Sequence, residues 1–555
     1  MESIFAAIDH VNAIMLGVPT LLALLGIGVL FTLWSGFGQY RALTHGVALL
    51  RGKVPGVSGQ GPGALSHFQA LSAALSATVG LGNIGGVAIA IAIGGPGAVF
   101  WMWVVGFVGM ALKSTEVTLS LLYRDTSDPD NPHGGTMWVV KRALNDVSPK
   151  LAGIGAIGGG LFAVSLLLYA ITGGNMFQAW NVGELTRAYF GVPTWITGAI
   201  LTVAVGAVII GGIRRIGSIA GLLVPFMCGI YVLAALAVIL LNAQLLPEIF
   251  GLIFRHAFAP AEAGGAFLGA SVGMAFIFGM KRALFSSEAG LGSAPIAHSA
   301  VKTPEPVTEG VVAGLEPFID TLVVCTMTAL VILISGVWNR ESTIGWPERP
   351  ELQQVAPQTW APPAVPLTSL EGAGLNIGDQ VFIVVQAEGG TRSKLFGDVR
   401  AAETQAAQIE WRPLRSVAEP AIVEPGIFAD YPASTLTAKA FDSSYPGLGR
   451  WMVTITVWLF ALSTIITWSY YGEQGMVYLL GPRAVLPYRL AYCVLILIAC
   501  GGFIRTDAQL DSLSTISMGF MLAINLPTML LLGPKAMHAW RDYFRRLKAG
   551  EIGKA

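Results

Sequence analysis

The chain has 555 residues, of which 54% are hydrophobic and only 12% are charged. Soluble proteins carry about 25% charged residues, so this composition predicts a polytopic protein embedded in the lipid bilayer. The formal net charge is zero, which argues against binding to nucleic acid. The four cysteines lie in apolar runs without metal-ligand spacing, so we expect neither a disulfide framework nor a transition-metal site.

Apolar runs long enough to cross a membrane recur along the chain. A helical span needs about 20 residues, and the runs predict about eleven spans, near 14–35, 64–95, 97–123, 152–180, 193–212, 217–241, 263–280, 308–337, 450–475, 484–504 and 510–533. The first run lacks the basic flank of a signal peptide, so we expect a retained span. Basic residues collect on alternate connections, which places the N-terminus outside and the C-terminus in the cytoplasm. The compact loops favour the inner membrane of a prokaryote.

One connection is too long and too polar for a compact helical bundle. Residues 339–449 are proline-rich and contain strand-like stretches such as Gln380–Gly390. We expect a small extracytoplasmic β-rich domain that binds a partner, with a partly disordered excursion as the alternative. The predicted divisions are 1–63 (an extra helix and a cytoplasmic loop), 64–242 (five helices), 243–338 (two helices), 339–449 (the insertion), 450–535 (three helices) and 536–555 (a basic cytoplasmic tail).

The glycine-rich stretch Ala77–Gly86, ATVGLGNIGG, stands inside the second span. Glycine costs about 1 kcal/mol in a helix interior, so four glycines in ten residues predict an unwound segment. Unwound backbone inside a membrane offers its N–H and C=O groups to a solute or ion, and a close-packing helix face is the alternative. The seventh span carries Gly269, Gly273 and Gly279 in the corresponding place. Two such helices, opening two five-helix halves of opposite orientation, predict an inverted repeat with a transport site between the halves.

Polar side chains in other spans are candidates for lining this site. Ser463 and Thr464 supply adjacent hydroxyls that suit a sodium ion, and bonding to carbonyls of their own helix is the alternative. Trp468 lies one turn beyond Thr464 and fits either an aromatic wall or plain packing. Asn175 and Gln178 share one helix face and fit either a ligand or helix–helix hydrogen bonds.

Charged residues near the inner side have structural and functional interpretations. Lys113 and Glu116 are spaced for mutual pairing, and we favour a structural ion pair over a coupling role. Glu288 and His298 are candidates for gating the inner exit, although a solvated His298 is the favoured alternative. The sequence contains no phosphate loop, nucleophile triad or metal motif. We therefore expect neither an enzyme nor a bound cofactor.

Five segments occur in an order typical of one family: LSATVGLGNIGGVAIAIAIGGPGAVFWMWVVGFVGMALKSTEV, GGTMWVVKRAL, GGIRRIGSIAGLLVPFMCGIY, KRALFSSEAGLGSAPIAHSAVKTPEPVTEGVVAGLEPFIDTLVVCTMTALVILISG and LFALSTIITWSYYGE. They cover most of 64–336 and 450–535 and resemble the alanine or glycine:cation symporter family, also called sodium:alanine symporters. More distantly, VGLGN resembles the first core helix of sodium-coupled neurotransmitter-type symporters. The resemblance implies an all-α LeuT-type core with a 5+5 inverted repeat and one extra N-terminal helix.

The resemblance also implies roles for individual residues. One sodium ion would be held by carbonyls and hydroxyls of Ser76, Val79, Phe460, Ser463 and Thr464. A second cation is implied at Asn83, which aligns with an amide that holds sodium in the distant relatives. The amino-acid site would be lined by Thr78, Gly80, Gly82, Gly173, Gly174, Gln178, Phe276, Thr464 and Trp468.

The expected function is the import of a small neutral amino acid, alanine or glycine, together with sodium. We expect the amino-acid carboxylate to take N–H groups near Gly80 and Gly82, and the helical bundle to expose the site alternately to each side. A proton-coupled amino-acid carrier and a transporter-fold sensor that uses the external domain are the alternatives.

Overall fold

A computed structural model of the chain describes residues 2–54, 59, 61–345, 350–367, 375–386, 392–402, 407–424, 426–502 and 507–552. The ends of three predicted elements lie outside the described residues, namely 387–390 of the strand-like stretch, 503–504 of the tenth span and 553–555 of the tail. The same holds for parts of the predicted cytoplasmic loop and of the insertion.

Helices form most of the described chain. The helices before the insertion are α1 (Glu2–Met15), α2 (Val18–Trp34), α3 (Gly38–Arg41), α4 (Val47–Leu50), α5 (His67–Thr78), α6 (Val87–Gly94), α7 (Gly97–Tyr123), α8 (Thr136–Val147), α9 (Ala152–Ile171), α10 (Phe177–Phe190), α11 (Thr194–Ile209), α12 (Gly212–Leu241), α13 (Leu246–Phe258), α14 (Val272–Ser287), α15 (Pro295–His298), α16 (Pro306–Ala313), α17 (Leu315–Pro317) and α18 (Thr326–Ser335). The helices that follow the strands are α19 (Ser434–Ser444), α20 (Thr454–Leu480), α21 (Val485–Cys500) and α22 (Asp507–Lys548).

Eight helical stretches of the described chain have the length and apolar composition to cross a membrane: His10–Trp34, Gly97–Tyr123, Pro149–Phe190, Gly212–Leu241, Pro306–Ser335, Gly449–Leu480, Pro482–Cys500 and Gln509–Lys548. A ninth candidate is the pair α5 and α6, which meet at a bend of 52°. The predicted spans near 193–212 and 263–280 correspond to shorter helices of 16 residues, α11 and α14. The protein is therefore a polytopic integral membrane protein, while the count of eleven spans stays a prediction.

Side chains are distributed as a lipid environment requires. On α12 the apolar Leu222, Phe226 and Leu233 are exposed, whereas on α7 the polar run Lys113–Glu116 is buried. A soluble protein shows the reverse distribution, because water solvates charge and excludes apolar surface. The helices thus enclose a polar interior, and the candidate site lies within it.

The described strands of the insertion form two antiparallel sheets. They are β1 (Gln353–Ala356), β2 (Thr359–Ala361), β3 (Val365–Leu367), β4 (Gln380–Gln386), β5 (Arg392–Arg400), β6 (Ala407–Trp411), β7 (Leu414–Arg415), β8 (Ala421–Ile422) and β9 (Phe428–Ala429). One sheet has the order β1-β2-β7; the other has the order β3-β6-β5-β4-β8, with β9 also paired to β4. In the larger sheet Phe382 of β4 lies opposite Phe396 of β5. A β-rich region is therefore present where the polar connection predicts one.

The β-rich region ends before the predicted boundary at residue 449. Helix α19 packs against α18, and Thr437 Oγ1 donates a hydrogen bond of 2.9 Å to the carbonyl oxygen of Ile84. Ile344 and Ile427 pair through two hydrogen bonds at the base of the strands, with N···O distances of 3.1 and 2.8 Å. The chain thus enters and leaves the strands at one point, and α19 belongs with the membrane helices.

The second span breaks within the glycine-rich stretch. A capping box begins α5: the Ser66 hydroxyl accepts from the Gln69 N–H, and the Gln69 side chain accepts from the Ser66 N–H. The helix ends at Thr78, and a π-helical turn, Gly82–Gly86, precedes α6. The chain therefore interrupts its helix where four glycines make the helix least favourable.

The predicted break inside Gly269–Arg282 is wrong in its position. Helix α14 begins after the capping residue Ser271 and continues through Gly273 and Gly279. Gly279 serves close packing, because a Cβ atom there would overlap the Ala98 carbonyl of α7. The helix instead ends at Ser287, and a non-helical segment with two glycines at positive φ follows it, Gly290 and Gly292.

Candidate functional site at the broken span

Helices α5 and α20 meet at the break through three hydrogen bonds. Thr464 Oγ1 donates to the Ser76 carbonyl at 3.0 Å, and Ser76 Oγ donates to the Ser463 carbonyl at 2.8 Å. Trp468 Nε1 donates to the Ala77 carbonyl at 3.3 Å. The side chains of Ser76, Ser463, Thr464 and Trp468 are at most 2% exposed. A buried polar seam therefore ties the last turn of α5 to the middle of α20.

Three of the five residues predicted to hold sodium belong to this seam, namely Ser76, Ser463 and Thr464, and a fourth, Phe460, contacts it through Ser463. Ser463 Oγ donates to the Phe460 carbonyl of its own helix at 2.9 Å, as the local alternative expects. Thr464 instead crosses to Ser76, so the local alternative does not describe it. The fifth residue, Val79, follows α5 in an extended conformation. The seam offers neutral hydroxyl and carbonyl oxygens, the donors with which broken transporter helices hold sodium.

The turn between α9 and α10 also reaches the break. Gln178 Oε1 accepts from the Leu81 N–H at 3.4 Å, and Gln178 Nε2 donates to the Gly173 carbonyl at 3.1 Å. Asn175 Nδ2 donates to the Tyr492 carbonyl at 2.8 Å. The two neighbouring amides therefore differ: Gln178 faces the break, and Asn175 makes a helix–helix hydrogen bond.

Two predicted glycines permit close approach at the break. A Cβ atom on Gly80 would lie 2.7 Å from Thr464 Oγ1, and one on Gly174 would overlap the Trp468 ring. Gly174 belongs to a second π-helical turn, Thr172–Met176. Any other residue at these two positions would push the seam apart.

Two hydrogen-bond donors at the break, one backbone N–H group and one side-chain hydroxyl, already have partners. The Gly80 N–H donates to Asn83 Oδ1 at 2.8 Å. The Thr78 hydroxyl is directed to carbonyls of its own helix, Ala74 and Leu75, at 3.3 and 3.4 Å. Binding of a carboxylate at Gly80 thus requires Asn83 to give up this hydrogen bond.

The aromatic ring beside Gly82 is Phe285, and the predicted Phe276 does not join this group. Phe276 packs edge-on against Trp101, with ring centroids 4.9 Å apart. A Cβ atom on Gly82 would lie 3.0 Å from Phe285. The two residues are nine positions apart, which is about 14 Å along a helix axis. The prediction failed because it placed the break inside α14, whereas α14 is continuous past Phe276.

Asn83, predicted as a ligand of a second cation, contacts a carboxylate that the sequence analysis missed. Asn83 Nδ2 donates to Asp320 Oδ1, and Thr321 Oγ1 donates to Asp320 Oδ2 at 2.7 Å. Asp320 is fully buried in a π-helical stretch, Phe318–Cys325. An acidic residue inside an apolar span is itself a functional signal, and that signal would have found Asp320.

The expected pair of Lys113 with Glu116 is wrong. Lys113 Nζ lies 3.1 Å from Glu316 Oε2, and both side chains are fully buried. Glu116 Oε2 instead accepts from the Gly292 N–H at 3.2 Å and from Asn525 Nδ2 at 3.0 Å. The spacing on α7 permitted a local pair, but the fold brings a second acid closer.

The expectation of a solvated His298 is also wrong, because its side chain is fully buried. His298 Nδ1 lies 2.5 Å from Glu309 Oε1, and its Nε2 contacts Glu316 Oε1. Glu288 accepts a hydrogen bond of 2.6 Å from Ser293 Oγ. Glu309 and Glu316 were overlooked although both lie in the predicted span 308–337, where acids are rare.

A broken membrane helix with glycines at the break, hydrogen-bonded there to the middle of a distant helix, is the arrangement of a secondary transporter. The family model described as the sodium:alanine symporter family matches residues 1–357 and 422–554. A sodium/alanine symporter of Methanococcus maripaludis is 35% identical, and the alignment covers 95% of this chain and 94% of that protein. The chain belongs to the sodium:alanine symporter family, as its sequence segments predict.

Other relatives agree with this assignment. A putative sodium/proton-dependent alanine carrier of Bacillus subtilis is 31% identical over 98% of this chain and 93% of that protein. A sodium/proton-dependent alanine carrier of Bacillus sp. strain PS3 is 29% identical over 88% of this chain and 90% of that protein. A solved manganese transporter of Eremococcus coleocola covers 85% of this chain and 78% of its own at 13% identity, but its TM-score of 0.43 is too low to carry an argument. Residues 358–421 of the β-rich insertion lie outside the family model.

Proposed function

We propose that the protein is a sodium-coupled secondary active symporter that imports a small neutral amino acid, alanine or glycine, by alternating access. The observation that carries this proposal is a pair of hydrogen bonds beside the break: the Thr464 hydroxyl donates to the Ser76 carbonyl, and the Ser76 hydroxyl donates to the Ser463 carbonyl. Neutral oxygens around interrupted helices suit sodium. The printed name of the Methanococcus maripaludis relative supports the same ion and solute.

Sodium binds between α5 and α20 in this proposal. Its ligands are the carbonyl oxygens of Ser76, Val79 and Phe460 and the hydroxyl oxygens of Ser463 and Thr464. The ion draws together two helices that meet through weaker neutral hydrogen bonds, and so it orders the break before the solute binds. A sodium ion that enters a cell whose inside is negative releases about 2.3 kcal/mol of free energy per 100 mV of membrane potential, and this free energy drives the import of the solute.

The amino acid binds beside the ion. Its carboxylate takes N–H groups around Gly80 and Gly82, aided by the positive N-terminal end of the half-helix α6. The lining residues are Thr78, Gly173, Gly174, Gln178, Thr464 and Trp468, with Phe285 in the place that Phe276 was expected to fill. Gly174 and Trp468 restrict the room for the side chain, because they already touch. A small solute follows from this restriction.

The proposal includes an orientation in the membrane. The N-terminus lies outside, the C-terminus lies in the cytoplasm, and the membrane is the inner membrane of a prokaryote, because basic residues collect on the corresponding connections. The strands of the insertion then lie on the outer side. A partner for residues 339–449 stays a prediction, and a pull-down that retains no specific envelope protein would count against it.

A proton-coupled carrier is the second candidate. The printed names of the two Bacillus relatives include both ions, which supports this alternative. Thermal unfolding of the purified protein with a panel of amino acids, with and without sodium, separates the candidates. We expect alanine or glycine to raise the unfolding temperature only when sodium is present. Equal stabilisation without sodium would speak for the second candidate.

A further inference from the structure

Five ionisable side chains form a continuous buried chain beside the broken span. Glu316 lies between Lys113, at 3.1 Å, and His298, and Glu309 lies between His298, at 2.5 Å, and His67. None of the five side chains is more than 4% exposed. Buried charges inside a membrane protein are costly and mark functional sites by default. None of these five side chains has a role in the binding of sodium or the amino acid proposed above.

His298 is the centre of the chain, and its geometry determines its protonation. Both ring nitrogens face carboxylate oxygens, one of Glu309 and one of Glu316. A neutral imidazole has one N–H donor and one lone pair, so one of these contacts would be repulsive. The ring therefore carries two protons here. Burial lowers the pKa of His298, but the two carboxylates outweigh burial and raise the pKa to about 9.

Other charged and titratable groups face the chain from the elements packed around it. They are Glu116, Glu288, Arg124 and Tyr471. Among the described residues, Glu116 Oε1 and the Tyr471 hydroxyl have no hydrogen-bond partner. His45, on the π-helical turn that contacts α16, bonds to Tyr543 instead. None of these groups lies between His298 and its two carboxylates, so the doubly protonated ring depends on Glu309 and Glu316.

This group of five ionisable side chains holds the N-terminal end of the half-helix α5 in place. His67 is the first residue of α5, and Ser76 of the proposed sodium site lies about 14 Å further along the same helix. His298 and Glu309 belong to α15 and α16, which both pack against α5, and Glu309 contacts its first residue, His67. A path from the site to this side requires α5 to part from them, and water then reaches His298. In water the pKa of histidine is about 6.5, so the second proton leaves.

We propose that His298, held by Glu309 and Glu316 and linked to α5 through His67, is a proton-binding site that locks the cytoplasmic side of the transporter. The proton is bound while α5 is docked and is released when α5 opens. This inference rests on the alternating-access function proposed above. Opening therefore becomes more favourable as the pH rises, by up to about tenfold per pH unit between 6.5 and about 9.

Amide hydrogen exchange of the full-length protein measures this opening without relying on transport. The readout is the protection of amides in 67–78 across the pH window, corrected for the intrinsic exchange rate. We expect opening of the wild type to rise toward tenfold per pH unit and His298→Gln to abolish the rise. His538→Gln, which alters an exposed histidine on α22, is the matched control and should follow the wild type.

Two results would overturn the proton lock: protection of the wild type that does not change with pH, or a His298→Gln variant that keeps the wild-type slope. If His298→Gln does not fold, Glu309→Gln replaces it. A reduced slope is expected for Glu309→Gln, and the full slope would contradict the proposal. Sodium-driven alanine uptake by the same wild-type preparation distinguishes a failure of the proton lock from a failure of the proposed transport function. Flat protection with normal uptake overturns the lock alone, whereas absent uptake overturns the transport proposal on which the lock rests.

Discussion

Thr464 and Ser76 join the two helices that the proposed sodium site needs: Thr464 Oγ1 lies 3.0 Å from the Ser76 carbonyl oxygen. The residues are 388 positions apart in the chain. A second hydrogen bond in the opposite sense, from Ser76 Oγ to the Ser463 carbonyl, fixes their relative height. The pair meets where α5 ends and its last carbonyl groups lose their helical partners. A cation that binds here holds both helices at once.

Replacing Thr464 by valine tests the hydroxyl at the proposed ion site. The change keeps the shape and removes one oxygen ligand, which is worth about 1–3 kcal/mol when it is buried. We expect the sodium concentration for half-maximal uptake to rise about tenfold or more, since about 1.4 kcal/mol is a factor of ten. Thr467→Val is the matched control, because the buried Thr467 hydroxyl has no partner among the described residues. An unchanged sodium dependence in Thr464→Val would remove this hydroxyl from the site.

Replacing Gly82 by leucine tests the broken helix itself. The new side chain begins 3.0 Å from the Phe285 ring, and it fills the space that the unwound backbone offers to a solute. We expect transport to be lost while the protein still inserts and folds. Gly160→Leu on α9 is the control, since no atom lies within 4 Å of a Cβ built there. Normal uptake by Gly82→Leu would show that the stretch Ala77–Gly86 is a close-packing helix face and not a binding site.

Replacing Lys113 by methionine tests the buried pair with Glu316. Removing one partner of a fully buried ion pair costs about 3–5 kcal/mol, because the other charge loses its compensation. Thermal unfolding in detergent should show this loss, and the double variant Lys113→Met with Glu316→Gln should recover part of it. Arg187→Met is the comparison, because it breaks a surface ion pair in which Arg187 is 48% exposed and Glu184 is 33% exposed. This variant should lose about 1 kcal/mol of stability at most. Equal stability of the two single variants would show that the buried pair contributes little.

Two deletions test the role of the insertion. Ile344 and Ile427 are hydrogen-bonded neighbours, so residues 345–426 can be replaced by a short linker without disturbing the helices. We expect this shorter deletion to keep sodium-driven uptake. A deletion of 340–449 also removes α19, whose Thr437 bonds to the Ile84 carbonyl in the broken span, and should abolish uptake. If the shorter deletion folds but does not transport, the strands take part in the transport cycle.

Local features of the chain could be predicted from the sequence, and contacts between distant segments largely could not. The break after Thr78 follows from the cost of glycine in a helix, which is a property of neighbouring residues. The hydroxyls of Ser463 and Thr464 were recognised as adjacent polar groups in an apolar span, and the family resemblance added the carbonyls of Ser76, Val79 and Phe460 as their partners. The partner of Lys113 was missed, because Glu316 lies 203 positions away and Glu116 already satisfied the helical spacing. The same limit explains Phe276, since the position of a ring depends on where its helix begins.

Three buried acidic residues were not recognised from the sequence as members of a site. Glu309, Glu316 and Asp320 all lie in one predicted span, and their number alone marks the span as unusual. Their partners, however, come from four other elements of the fold: His67, Asn83, Lys113 and His298. Charge inside a membrane predicts that a function exists there, whereas the groups that share the charge become visible only in the fold.

Uptake of labelled alanine into proteoliposomes, with and without an inward sodium gradient, tests the proposed function most directly. We predict uptake that requires the sodium gradient and that increases with an inside-negative membrane potential. Uptake that ignores sodium but follows a pH gradient would contradict the sodium assignment.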